Sequence, residues 1–149
     1  MKSIALYTPI NANYESLFVL KECLDSQTTK DFVWHIISWG DDICTIIDRL
    51  RNNSNYDILY DQIQVKGKYL ATEFMFNHTE EPYIIGCPCE FELKENAIET
   101  IIRQWHDIQR NVDNNIAEVR ALCGTPSKNV ARYMSEYPSI SYLDATWHE

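Results

Sequence analysis

Two short clusters hold most of the side chains in this chain that could do chemistry: Ser38-Trp39-Gly40-Asp41-Asp42 and Cys87-Pro88-Cys89-Glu90. Cys87 and Cys89 invite thiolate-metal or redox chemistry. A structural zinc site needs about four well-spaced ligands, and neither a nearby histidine nor a second cysteine pair completes one. Thioredoxin-type exchange wants Cys-x-x-Cys at a helix start, whereas the spacing here is Cys-x-Cys. Both cysteines are therefore expected to be buried at a strand end. His35, His78, His106 and His148 are widely separated. His35 lies inside an apolar run and is expected as a hydrogen-bonded core or sheet-face residue. No Gly-x-Ser-x-Gly elbow is present, which leaves an α/β-hydrolase unsupported. Gly-x-Gly-x-x-Gly and Gly-x-x-x-x-Gly-Lys are absent too, and with them the main warrants for a dinucleotide or P-loop enzyme.

The elements that must position these residues alternate between strand-like and helix-like. Ile4 to Tyr7 predicts a strand ending at Thr8-Pro9. A helix follows from Asn13, with Asn13 as N-cap, Glu15 in the first turn and Leu17, Leu20 and Leu24 on one face. Phe32 to Ser38 is a near-continuous apolar run of the kind buried on both faces of a parallel sheet. Gly40 ends it. Asp42 is placed to cap a helix carrying Ile43, Ile46, Ile47 and Leu50, closed by Asn52-Asn53-Ser54-Asn55. Tyr56 to Tyr60 is a third strand; Gly67 to Asn77 a helix with Leu70, Phe74 and Phe76 inward; Tyr83 to Cys87 a fourth strand. Glu95 to Gln109 carries the clearest helical stripe, Ile98, Ile101, Ile102, Trp105 and Ile108. Ile116 to Cys123 predicts a fifth strand. This order implies an α/β fold, a mainly parallel sheet with helices on both faces, and ligands at the strand carboxyl ends.

The 149 residues, 45% hydrophobic and 23% charged, suit one domain with a substantial core. Thirteen Lys and Arg against 22 Asp and Glu give a net charge of -9, and the basic residues are scattered. A nucleic-acid partner needs a positive footprint, so none is expected. No stretch approaches the roughly 20 apolar residues of a transmembrane helix, and the short apolar N-terminus reads as a strand rather than a signal segment. A cytoplasmic protein is expected. Its five cysteines are expected to be reduced thiols.

Several local words, in order, resemble GT-A glycosyltransferases of family two. Thr8-Pro9-Ile10-Asn11 stands where that family has a Pro-Thr-Tyr-Asn-like word. Leu20-Lys21-Glu22-Cys23-Leu24-Asp25-Ser26 is similar to its Leu-x-x-Cys-Leu-x-Ser, and Gln27-Thr28-Thr29-Lys30-Asp31-Phe32 to its Gln-Thr-x-x-Asp-Phe. Gly67-Lys68 followed by Ala71 is similar to Gly-Lys-x-x-Ala. Pro82-Tyr83-Ile84-Ile85 resembles the strand before the metal-binding acids, and Glu95-Asn96-Ala97-Ile98-Glu99 the helix start after them. The words cover about Ser3 to Gln109.

The resemblance implies a single GT-A (nucleotide-diphospho-sugar transferase) domain over 1–149. A nucleotide-sugar-binding core would take about 1–110 and a partial acceptor-side region 111–149. It implies transfer of a sugar from a nucleotide-diphosphate sugar to a saccharide or other hydroxyl acceptor, with the donor held along Thr8, Pro9, Asn11, Ser38, Asp41 and Lys68. The departures are equally specific. Where the family has Asp-Asp-Gly-Ser, whose acid recognises the base, this chain has Ser38-Trp39-Gly40-Asp41; Asp41 and Asp42 are either partial replacements or turn and helix-cap residues. Trp39 either stacks on a base or plugs the pocket. The Asp-x-Asp that holds Mg²⁺ or Mn²⁺ is degenerate, its counterpart Pro88-Cys89-Glu90 keeping one acid, Glu90, as candidate metal ligand, with Glu92 nearby. No catalytic base is assigned, because Asp144 has only its late position to recommend it. A catalytically inactive relative that binds a saccharide or a protein is the alternative.

Overall fold

The computed structural model describes residues 1–64, 67–89 and 92–111. Eight elements follow in strict alternation: β1 (Ile4–Ile10), α1 (Ser16–Asp25), β2 (Phe32–Ser38), α2 (Cys44–Arg51), β3 (Asp57–Gln62), α3 (Lys68–His78), β4 (Tyr83–Gly86) and α4 (Ala97–Asn111). The strands form one sheet in the order β3-β2-β1-β4, and every pairing is parallel. The fold class is therefore α/β, as expected. Met1–Glu99 is one compact unit; the residues of α4 from Thr100 onward belong to a second. The expected strand Ile116 to Cys123, and Asp144, lie outside the described residues.

Strand order fixes the layers. From β1 the chain steps outward to β2 and β3, and right-handed crossovers put α1 and α2 on one face of the sheet. Arg49 of α2 lies 4.6 Å from the ring centroid of Phe18 in α1, a contact between the two helices. The chain then returns past β1 to β4, which carries α3 to the opposite face. There Ala71 and Met75 of α3 pack with Ala5, Val33, Ile37 and Ile63. β2 and β1 are the inner strands, and all seven residues of β2 are buried.

Local signals hold in part. Leu17, Leu20 and Leu24 form the buried stripe of α1, but the helix starts later than expected. Asn13 is not the N-cap: it takes a left-handed φ of 54°, a conformation Asn tolerates better than most residues. Its carbonyl, not its side chain, accepts from the Ser16 N–H at 3.0 Å and from Ser16 Oγ at 2.7 Å. At the other end, Lys30 Nζ donates to the carbonyls of Leu24, Asp25 and Gln27 at 3.0, 2.8 and 2.8 Å, closing the negative end of the helix with a cation. In α3 the inward face differs from expectation. Leu70 and Phe76 are exposed, Phe74 is half-buried, and Ala71 and Met75 make the buried contact. Five apolar residues within seven positions define overlapping stripes, and the one containing Ala71 and Met75 joins the cluster with Ala5. In α4, Ile98 and Ile101 are buried and Ile102 and Trp105 half-buried; the side chain of Ile108 lies outside the described residues.

One buried polar chain ties the two inner strands to the backbone beyond β4. Trp34 Nε1 of β2 donates to Thr8 Oγ1 of β1 at 2.9 Å, and Thr8 Oγ1 donates to the carbonyl of Cys87, just after β4, at 2.6 Å. Trp34 and Thr8 are wholly buried. Thr8→Val keeps the shape and removes the hydroxyl, which orphans a buried indole N–H. It is expected to cost about 1–3 kcal/mol, measured as a lower urea midpoint at unchanged m.

Candidate functional site

In an open parallel sheet, ligands bind outside the strand carboxyl ends where the strand order reverses. Here that reversal falls between β1 and β4. Ile10 pairs with Ser38, so the ends of β1 and β2 are level, and the loops 11–15 and 39–43 leave the sheet side by side. The Tyr14 hydroxyl joins them, donating to the Asn11 carbonyl at 2.9 Å and accepting from the Asp41 N–H at 3.2 Å. Gln62 at the end of β3 adds a third tie, its Nε2 donating to the Gly40 carbonyl at 3.1 Å. Gly40 is required by this closeness. A Cβ there would stand 2.6 Å from Tyr14 Oη and 2.8 Å from the Asn11 carbonyl oxygen.

The candidate donor residues fall into two groups. Asn11 and Asp41 are exposed on the joined loops, and Pro9 is half-buried beneath them. Thr8 and Ser38 are wholly buried. The Thr8 hydroxyl is spent on Trp34 and Cys87, and Ser38 Oγ lies 2.9 Å from the Tyr60 hydroxyl. The two aspartates also part company. Asp42 accepts from the Cys44 N–H at 2.9 Å; hydrogen bonding to Cys44, from its side chain first and its backbone second, holds the Asp42 carboxyl below the usual range, and the N-cap of α2 is Ile43 rather than the expected Asp42. The Asp41 carboxylate is left open at the rim. Trp39 is half-buried and packs against the core cluster of Ile37, Ile63, Ala71 and Met75.

Lys68 heads α3, directly after Gly67 with its φ of 138°; its side chain lies outside the described residues, as does Glu90. Glu92 is exposed. Among the described residues no group of three or more His, Cys, Asp and Glu side chains could hold a metal ion. Cys87 is buried, as expected at a strand end. Burial first, with Cys89 and Cys23 adding, pushes its thiol up to about 12, so it stays protonated at neutral pH. Cys89 is half-buried.

Two features of this edge escape sequence reasoning. One is Tyr14, an ordinary loop tyrosine until the second loop is brought against it. The other is a pair: buried His35 of β2 meets Asp61 of β3, with Nε2 and Oδ2 2.6 Å apart. His35 was expected to be hydrogen-bonded, but its partner was hidden because β3 runs to Gln62 rather than stopping at Tyr60. No family model matches this chain, and no curated protein matches it. No helix among the described residues is long and apolar enough to cross a membrane.

Gly40→Ala is expected to destabilise by about 1–3 kcal/mol through overpacking. Tyr14→Phe in that background should recover little, since the Asn11 backbone remains in the way; equilibrium denaturation of both variants checks this. At pH 8, iodoacetamide should label exposed Cys44 well before Cys87, whose peptide becomes alkylated only in denaturant, as read by mass spectrometry.

Proposed function

We propose that this chain binds a nucleotide-diphosphate sugar across the carboxyl ends of its sheet and transfers the sugar to a hydroxyl of a saccharide acceptor, in the manner of the GT-A glycosyltransferases it resembles. One observation carries the proposal. The sheet reverses between β1 and β4, and the loops holding Asn11 and Asp41 are tied together beside that reversal. In this reading Thr8 and Ser38 shape the floor from within, Pro9 and Asn11 line it, and Asp41 presents its carboxylate to the donor. Lys68, at the head of α3, offsets diphosphate charge. The acceptor oxygen attacks the anomeric carbon, the bond from that carbon to the diphosphate oxygen breaks, and a carboxylate takes the acceptor's proton. Mg²⁺ or Mn²⁺ would neutralise the departing diphosphate; its one candidate ligand, Glu90, lies outside the described residues, and no step depends on it here. In this reading the protein works in the cytoplasm and takes no nucleic acid, which the net charge of -9 and the scattered basic residues support.

A second reading keeps the binding and drops the transfer. Its support is Ser38, which stands where the resembled family has an acid and is buried against Tyr60, with Trp39 packed into the core beside it. Thermal unfolding with UDP, GDP, ADP and CDP, with and without Mn²⁺ or Mg²⁺, tests both. One diphosphate at about 100 times its Kd should add about 2.7 kcal/mol, and Asp41→Ala should weaken that gain. Sugar transfer or nucleotide-sugar hydrolysis on top of binding selects the enzyme; binding alone selects the inactive relative. Silence with every nucleotide defeats both.

A further inference from the structure

His35 is the polar interruption of a strand that otherwise runs Phe32-Val33-Trp34 and Ile36-Ile37, and only 4% of its side chain is exposed. Its register partner on β3 is Leu59, and Asp61 lies two residues further along the same face. The imidazole thus leans toward the carboxyl edge to reach Asp61 Oδ2 at 2.6 Å. Phe74 of α3 closes the ring from another side, edge-on with centroids 6.5 Å apart. The surface beyond is open. Leu59 is 46% exposed, and 45% of the Asp61 side chain is exposed, so one carboxylate oxygen is held by a buried donor while the group still faces solvent.

Stability does not require this arrangement. An apolar residue would fill a β2 position at least as well as an imidazole that must be desolvated, and buried polar pairs are often neutral or costly relative to apolar replacements. What His35 supplies is a fixed direction for Asp61. A carboxylate held in one orientation beside an exposed aliphatic side chain matches a sugar ring, which offers hydroxyl donors on its edge and C–H groups on its face.

We propose that Asp61 is a sugar-reading residue and His35 the residue that positions it: the free side of the carboxylate accepts hydrogen bonds from hydroxyls of a sugar ring lying against Leu59. The inference rests on the nucleotide-sugar reading above. A donor laid from β4 to β3 crosses three inter-strand spacings, about 14 Å, which brings one of its two sugars over β3. The shared chemistry is a ring hydroxyl, supplied either by the ribose or by the transferred sugar.

The test is calorimetric titration of the full chain with whichever nucleoside diphosphate stabilises it, with the 2′-deoxy form and with the corresponding nucleotide sugars. Asp61→Asn, His35→Leu and His35→Gln are compared with the unaltered protein. Asp61→Asn and His35→Leu should each weaken binding by about tenfold or more, while His35→Gln, which retains an N–H donor, recovers part of the loss. His35→Leu should unfold at no lower urea concentration than the parent. Loss of the Asp61 effect with the 2′-deoxy ligand assigns the ribose; an Asp61 effect confined to nucleotide sugars assigns the transferred sugar. Undiminished binding by Asp61→Asn overturns the inference and leaves the nucleotide-sugar reading intact, whereas a parent protein that binds no nucleotide overturns both. A His35→Leu variant that is markedly destabilised while Asp61→Asn binds normally identifies the pair as a structural tie, which also overturns it.

Discussion

A single hydroxyl joins the strands that matter most. Thr8 Oγ1 stands at the end of β1, the only strand paired with both β2 and β4, accepting from one neighbour and donating to the backbone beyond the other. No water reaches it, so any sideways slip of β2 or β4 that broke either bond would leave a buried polar group unpaired. In parallel sheets the backbone ladders alone leave the strand ends free to splay. This side-chain chain ties the middle of β2 to β1, and β1 to the backbone just beyond β4, beneath the edge where the order reverses and the candidate site opens.

Above that floor the loops are held by exposed contacts. Tyr14 and Gln62 reach loop 39–43 from either side, and Gly40 gives them room. The consequence falls on two adjacent acids. Asp42, though exposed, spends its carboxylate on Cys44 at the start of α2, while Asp41 is pinned by its own N–H and keeps its side chain exposed. Two residues that look interchangeable in sequence are separated by which of their atoms the fold has used.

The sequence displays what is local and hides what is not. The stripe of Leu17, Leu20 and Leu24, the unbroken apolar run of β2 and the alternation of elements are visible because each depends on spacing within one segment. The α3 face is not, because Leu70, Ala71, Phe74, Met75 and Phe76 offer competing stripes and only the shape of β1 beneath chooses Ala71 and Met75. The pairings of His35 with Asp61 and of Ser38 with Tyr60 depend on the register between strands more than twenty residues apart. For the candidate site, the glycine turn and its acids stand out in sequence. Burial of Thr8 and Ser38, which turns two supposed contacts into scaffolding, does not.

The buried polar groups of the fold divide by what would replace them. Thr8, Trp34 and Gln27 satisfy one another or the backbone, Gln27 donating to the Lys94 carbonyl at 2.8 Å and accepting from the Ile98 N–H at 3.1 Å. Removing any one orphans its partner, so stability alone explains them. His35 differs because its partner is on the surface: Asp61 without the imidazole returns to water at little cost, whereas the imidazole without Asp61 keeps a buried nitrogen unpaired. An apolar replacement of His35 strands no buried partner, unlike any change in the Thr8 or Gln27 ties, so the imidazole is free to be kept for another use. That asymmetry separates the His35–Asp61 pair from the ties around it, and it is visible only once burial is known on both sides of the bond.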